Sequence, residues 1–274
     1  MISKALTTVL LTGFIAGILY TGAQMLRVTP LILEAEKYEI AEIAVPHSHA
    51  ASGITHTHVL NGVALDVHQR VATPHENLPA AHDHAGVAHA TENWAPGDGA
   101  ERTFYTAVSN IVTGIAFSLM LVAVFLLRGK TVDMNSGILW GAAGFAVFAL
   151  APALGLPPEL PGMTAAALES RQVWWIGTVI ATAIGIGLFT ESKTILAKIA
   201  ALALLAAPHL IGAPHPFLFE SNVPAELSAQ FAIASLVTSA FFWFVLGGTS
   251  GYLYKKLVIE SSSVLFKTSS LNPQ

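Results

Sequence analysis

The sequence has no cysteine and very little charge. Among its 274 residues there is no Cys, and Asp, Glu, Lys and Arg together make up 11%, against about 25% in a typical soluble domain. Without Cys the chain can form neither disulfides nor the thiolate ligands of iron–sulfur clusters and zinc fingers. Any metal must therefore bind through nitrogen and oxygen. So few charged side chains cannot cover a water-facing surface, which indicates that most of the surface faces lipid.

Signatures of nucleic-acid binding and of common enzyme classes are also missing. The net charge is −4, with 13 Lys and Arg against 17 Asp and Glu, so there is no basic excess for nucleic acid. The tripeptide at 129–131 has Val124 where a P-loop requires glycine. No nucleophile, zinc-protease or dinucleotide motif occurs. We therefore expect no enzyme, no tightly bound cofactor and no nucleic-acid partner.

What the chain does have is long apolar runs. A helix needs about 20 apolar residues to cross a bilayer core of about 30 Å. Spans are predicted at about 5–26, 104–127, 136–155, 173–190, 197–213 and 227–250. Prolines at 208, 214 and 216 weaken the fifth run, so five spans remain an alternative. The prediction is one all-α integral-membrane domain, 1–274, built as a bundle of about six helices.

Two features of the sequence concern the helices themselves: the length of the first apolar run and the spacing of the glycines. The first run is longer than the apolar core of a signal peptide, so we expect a retained helix. Pairs of glycines four residues apart let helix backbones approach closely in lipid, although glycine is also simply common in such helices. The pairs are Gly13 and Gly17, Gly137 and Gly141, and Gly247 and Gly251.

Positive charges predict the orientation, because Lys and Arg favour cytoplasmic loops. With six spans and the N-terminus inside, eight of the 13 positive residues fall on the cytoplasmic side. Four of the other five belong to one long loop or its edges, where this rule is weak, which leaves Arg171 as the positive residue of a short outer loop. We therefore expect both termini in the cytoplasm.

One long hydrophilic segment, 46–102, separates the first two predicted spans and carries nine of the eleven histidines. Three His-x-His pairs occur there. In an extended chain, side chains two residues apart point to the same side, so a pair could bind one Co²⁺, Ni²⁺, Cu²⁺ or Zn²⁺ ion. The predicted ligands are His47, His49, His56, His58, His82, His84 and His89. The composition predicts a largely disordered extracytoplasmic loop, and a solvated linker that binds metal incidentally is the alternative reading.

The remaining histidines, His209 and His215, lie among prolines at the predicted outer end of the fifth run. Irregular backbone is tolerated at membrane depth where it lines a cavity, and an ionisable group there is by default functional. A histidine that only caps the helix end is the alternative. Glu34 and Glu36 follow the first span. We predict that these four side chains bind the metal and pass it inward.

Further polar side chains lie at the same predicted level of the membrane. Together they could line an outward vestibule, although each alone is typical of an interfacial anchor, and Glu169 and Arg171 could simply pair with each other. They are Asn110, Glu169, Arg171, Glu226 and Gln230.

Several segments resemble the CbtA family, predicted cobalt transporter subunits of bacterial inner membranes. They are 29–39 directly after the first span, 156–162 (LPPELPG), 171–175 (RQVWW), 208–215 with both Pro-His pairs, and 223–227 (VPAEL). The resemblance covers nearly the whole chain, with the histidine-rich loop as a variable insert.

The resemblance implies a multi-pass protein of the bacterial inner membrane that takes up Co²⁺ for cobalamin synthesis. It also implies a partner besides membrane lipid, a small single-span CbtB-type subunit with its own histidines. The residues alone leave Ni²⁺ and Zn²⁺ open as transported ions. They also leave open a membrane protein that binds, buffers or senses metal without transporting it.

Overall fold

The computed structural model describes residues 2–43, 96–216 and 221–260, and side chains of 39–43 are not included. Regular structure in these ranges is helical, which confirms the predicted all-α membrane fold. The helices are α1 Ile2–Arg27, α2 Thr29–Ile43, α3 Ala100–Arg128, α4 Met134–Phe145, α5 Ala151–Ala153, α6 Leu168–Glu191, α7 Ile195–Ile211 and α8 Ala225–Leu253, with π-helical turns at Ala146–Leu150 and Tyr254–Glu260.

The predicted histidine-rich loop falls outside the described residues as far as residue 95. With it fall the nine histidines between 47 and 89 and the three His-x-His pairs. The described chain resumes at Pro96, and α3 already begins at Ala100, inside the predicted end of the loop.

Five described helical segments are long and apolar enough to cross a membrane: Ile2–Arg27, Ala100–Arg128, Met134–Ala153, Leu168–Glu191 and Ala225–Glu260. The sixth apolar helix, α7, has 17 residues. At 1.5 Å per residue it is about 26 Å long, somewhat short of the roughly 30 Å of a bilayer core. The fifth predicted run is thus the weak one, as its prolines suggested.

The bundle has two ends, which we name after the residues of α1 that mark them. At the Ile2 end, the start of the chain packs against the π turn Tyr254–Glu260 that follows α8. Arg128 at the end of α3 pairs there with Glu191 at the end of α6, at 2.8 Å.

At the Arg27 end, α2 folds back onto the loops and onto α8. A small apolar cluster joins them there, made of Val28, Ala35, Leu160, Val223 and Phe231. An isolated β-bridge between Met163 and Ser221 links the two loops of this end. The structure therefore places the start of α8 at the same end as the start of α6.

Helix α7 runs from one end of the bundle to the other despite its length. Three residues separate the end of α6 from the start of α7. The last turn of α7 lies beside the first turns of α6, where the Trp174 indole N–H donates to the Pro208 carbonyl oxygen at 3.3 Å. The described helices therefore make six passes between the two ends. A bilayer can thin locally around one short helix.

Glycine brings the backbones of α1 and α3 into direct contact. A Cβ built on Gly13 or Gly17 would overlap the backbone of Ile115 or Ile111. Gly114 of α3 in turn faces the Gly13 carbonyl. The predicted small-residue packing is confirmed for this pair of helices.

Helices α4 and α8 form a second seam of the same kind. Gly137 lies against Gly247 and Gly251, and Gly141 lies against the backbone of Trp243. A side chain at these glycines would push the helices apart, so the predicted packing role is confirmed here too. The two seams hold α1, α3, α4 and α8 as the central bundle, with α6 and α7 as a hairpin beside it.

Candidate functional site

The two described histidines lie at the Arg27 end, and this chain buries neither of them. His209 is exposed in the last turn of α7, with its ring 6.1 Å from that of Trp174 in an edge contact. His215 is exposed in the segment that follows. The buried imidazole that we expected beside a broken helix is therefore absent from α7 and the residues after it.

Helix α7 continues past Pro208 and ends at a glycine. Pro208 lies inside α7 and cannot donate a helical hydrogen bond, yet the helix continues to Ile211. It ends at Gly212, whose φ of 88° is accessible to glycine and costly for other residues. The ring of Pro208 is buried, and its carbonyl accepts from both Trp174 and Gly212.

The two predicted carboxylates of α2 are engaged in ion pairs. Glu36 accepts from Arg102 of α3 at 2.9 Å, and Arg102 also reaches Asp98 at 3.1 Å. Glu34 pairs with Lys37 on the same helix and raises the pKa of that ammonium group through its hydrogen bond and its charge. The Glu36–Arg102 contact ties α2 to the start of α3, close to Pro96, where the described chain resumes.

No group of three His, Asp or Glu side chains that could hold a metal forms within the residues the structure describes. The structure thus does not gather Glu34, Glu36, His209 and His215 into one metal site. Their predicted role as ligands stays a prediction.

A cavity of about 790 Å³ lies at the Arg27 end and extends toward the middle of the bundle. It is an open cleft lined by residues of α1, the π turn before α5, α5 itself, the loop after it, α6 and α8. Its apolar walls include Phe148, Pro152, Leu156, Trp175 and Ile176. A space of this size at the level of the predicted vestibule could admit a partly hydrated ion.

One ion pair borders this cavity. The Arg171 guanidinium in the first turn of α6 lies 2.9 Å from the Glu159 carboxylate, and the side chains are 33% and 24% exposed. The alternative in which Arg171 simply pairs with Glu169 is therefore not what the structure shows. Residues two apart on a helix point to different sides, and Glu169 instead borders a smaller cavity beside Trp174 and Gly212.

Residues with hydroxyl and amide groups also line the cavity. They are Tyr20, Gln172, Ser235 and Ser239. Sequence reasoning did not single them out as functional, because isolated Ser and Tyr residues are frequent in apolar helices. The two serines, four residues apart on α8, share one helix face, and that spacing was the available signal.

A polar network connects the cavity wall to the α1–α3 seam. Tyr20 contacts the side chain of Gln24. The Gln24 side-chain oxygen accepts from the Asn110 amide at 2.6 Å, and that amide also donates to the Thr21 hydroxyl at 3.0 Å. Asn110 is 8% exposed, so its position in the half of α3 nearer the Arg27 end reflects helix-to-helix bonding.

The π turn Ala146–Leu150 forms another part of the cavity wall through Phe148 and Ala149. Such turns are rare and often occur at functional sites. Pro152 follows it and has no N–H to donate to this turn. The cavity offers oxygen atoms from its side chains.

Comparison with known families identifies the chain at the family level. The family model described as "Probable cobalt transporter subunit (CbtA)" matches residues 2–255. The chain belongs to the CbtA family. This confirms the resemblance seen in the sequence and makes the chain a multi-pass membrane protein of a metal-transport family. The description of CbtA members as subunits implies that they act with a partner.

No curated protein and no solved structure matches the chain. The matched region includes all six passes between the two ends and both residues of the Glu159–Arg171 pair.

Proposed function

We propose that this chain is the membrane-embedded subunit of a transporter that takes up a divalent transition metal, with Co²⁺ as its substrate and cobalamin synthesis as its destination. The cobalt assignment is supported by the CbtA family description. The observation that carries the transport route is the cavity of about 790 Å³ at the Arg27 end. The metal is cargo here, and no catalytic role is proposed.

The Arg27 end faces the outside of the cell in this proposal, and the Ile2 end faces the cytoplasm of a bacterial inner membrane. The distribution of Lys and Arg supports this orientation. Arg128, Lys130, Lys193 and Lys255 belong to the Ile2 end. A cation that enters through the Arg27 end would then move down the membrane potential, gaining roughly 2.3 kcal/mol per charge per 100 mV.

The histidines of the segment between 47 and 89 capture the ion ahead of the cavity. Neutral imidazole binds Co²⁺, Ni²⁺ and Zn²⁺ alike, and their relative affinities follow the intrinsic order of the metals and not the protein's need, so the segment concentrates metal without choosing it. His209, His215, Glu34 and Glu36 lie at the same end as the cavity and serve as relay ligands in this scheme. Selectivity for Co²⁺ over the other divalent metals must then come from groups deeper in the cavity.

The partner is a small single-span subunit of the CbtB type. The family description supports a partner by naming a subunit. The α6–α7 hairpin supports it as well, because α7 packs mainly against α6 and leaves most of its apolar surface uncovered by this chain.

Radioactive cobalt uptake tests the proposal. Cells lacking the chain should accumulate less cobalt at limiting concentration than cells carrying it, and the purified complex in liposomes should accumulate cobalt inside. A protein that only binds, buffers or senses metal would show saturable binding without internal accumulation, and that result would reject transport. Competition with Ni²⁺ and Zn²⁺ in the same assay identifies the preferred ion.

A further inference from the structure

We propose that the Glu159–Arg171 ion pair is a cation-operated gate on the cavity. Glu159 is the first carboxylate that an arriving divalent ion binds there, and Arg171 is the group that the ion displaces. This inference rests on the proposed uptake function and deepens it by naming the residue that admits the metal.

The charge balance of the cavity points to this pair. Of the residues that line it, Glu159 and Arg171 are the charged ones, 2.9 Å apart. While they are paired, the part of the cavity wall that the structure describes carries no net charge and holds no free anionic ligand. Once the pair opens, one carboxylate faces a space whose other groups are hydroxyl, amide and apolar.

Electrostatics favours a step in which Glu159 exchanges Arg171 for the metal ion over one in which the ion pair first opens and leaves Glu159 unpaired. A divalent ion that leaves water for an apolar cavity loses hydration and needs a counter-charge. A carboxylate left unpaired in the same place is also costly. If the ion takes the place of the guanidinium, Glu159 is paired before and after the step. Oxygen ligands from Glu159 suit Co²⁺ alongside retained water.

The backbone positions the two partners unequally. Glu159 follows Pro157 and Pro158, whose rings fix φ, and precedes Leu160, which is 3% exposed. The carboxylate therefore stands on a rigid, anchored loop. Arg171 lies in the first turn of α6, where the helix dipole disfavours a positive charge. Its side chain is one-third exposed, so the guanidinium can turn toward water when the ion replaces it.

The groups beyond the pair suit an ion that has passed it. Ser235 and Ser239 stand one turn apart on α8, and Tyr20 of α1, whose ring lies 4.9 Å from that of Phe242 on α8, also lines the cavity. Their hydroxyl oxygens can replace part of a hydration shell without fixing the ion as tightly as a carboxylate would.

The competing explanation is that the pair only fastens the loop at 156–160 to α6. A charge swap, Glu159→Arg with Arg171→Glu, separates the two explanations because it keeps an ion pair and moves the carboxylate to the helix. A matched control exists at the opposite end of the bundle, where Glu191 and Arg128 form an ion pair with an N–O distance of 2.8 Å. Neither residue lines the cavity. Glu191→Gln removes a similar ion pair without touching the cavity.

The experiment is the initial rate of radioactive Co²⁺ accumulation against Co²⁺ concentration, in cells that lack the chromosomal copy and express each full-length variant. Glu159→Gln should raise the half-saturating concentration by about tenfold or more, as expected for loss of a charged contact. The swap should be equally impaired, and Arg171→Gln should not raise the value. Glu191→Gln should stay within about twofold of the wild type, as expected for an exposed pair. Thermal midpoints of the purified variants check folding.

Two results would overturn the gate. One is a swap variant that transports like the wild type, since the pair would then act only as a fastener. The other is Glu159→Gln with an unchanged half-saturating concentration. In both cases wild-type uptake is intact, so the proposed function survives. If the wild type itself adds no cobalt uptake over the deletion strain, the proposed function fails, and the gate fails with it.

Discussion

At the scale of single residues, Asn110 shows how one polar side chain is used inside an apolar bundle. Its amide donates both to Gln24 and to Thr21, so it bonds α3 to α1 at the Arg27 end. Interhelical hydrogen bonds in membranes contribute about 0.6 kcal/mol on average and rarely more than about 1.7. The network also contacts Tyr20 on the cavity wall, so it sets the shape of the cavity.

Replacing Asn110 by Ala should lower the free energy of unfolding by about 1 kcal/mol, because it leaves the Gln24 and Thr21 acceptors without their shared donor. Thermal unfolding in detergent measures this. Thr190→Ala is the control, since that exposed hydroxyl bonds only to the backbone of its own helix. Equal midpoints for the two variants would mean that the Asn110 bonds do not stabilise the fold.

Some residues of the candidate site could be predicted from the sequence, and others could not. The location of polar groups at one level of the membrane follows from their place in the apolar runs, and Asn110 and Arg171 were found in this way. The partner of Arg171 was not, because Glu169 is nearer in sequence and Glu159 becomes its neighbour only once the loop folds back on α6. Tyr20, Ser235 and Ser239 share a cavity through helix packing that the sequence does not encode locally.

At the scale of helices, the sequence predicted most of the architecture. Apolar runs located the helices because lipid requires about 20 apolar residues per crossing. Glycine spacing marked helix faces suited to close packing, but which helices meet there, α1 with α3 and α4 with α8, came only from the structure. The end-to-end course of α7 agrees with the predicted span at 197–213. The break between α1 and α2 at Val28 and the π turn at Ala146–Leu150 depend on tertiary contacts, which no local pattern specifies.

The α1–α3 seam makes a direct prediction with a control in the same helix. Gly13→Val should destabilise the protein by about 1–3 kcal/mol, because the added side chain meets the Ile115 backbone, which cannot move aside cheaply. Gly22→Val in the same helix faces open space and should have little effect. Thermal unfolding of both variants in detergent tests this, and similar losses for the two would argue against close packing at Gly13.

At the scale of the whole molecule, the proposed function separates capture of the metal from its passage. In this proposal the histidines between 47 and 89 concentrate the metal, and the bundle with its cavity conducts it. The first function needs only imidazole density, whereas the second needs fixed geometry. Changes to the two parts should therefore have different kinetic signatures.

Replacing the nine histidines of this segment by Asn, with its length kept, should lower Co²⁺ uptake at limiting metal and leave the maximal rate unchanged. The variant's loss of uptake should resemble the loss that the wild type shows at low pH. Imidazole is protonated below a pH of about 6.5 and can then no longer bind the metal. Uptake rates at two metal concentrations and two pH values measure this. Unchanged uptake of the variant at limiting metal would remove the capture role.

The central claim is that the cavity at the Arg27 end is the outward-facing entrance for the metal, and the absence of Cys allows a direct measurement. Ser239→Cys places one thiol in an otherwise cysteine-free chain, on the cavity wall. In intact cells a membrane-impermeant maleimide should label it from outside, and Co²⁺ should slow the labelling while Mg²⁺ should not. Labelling that requires broken cells, or that Co²⁺ leaves unchanged, would contradict the account.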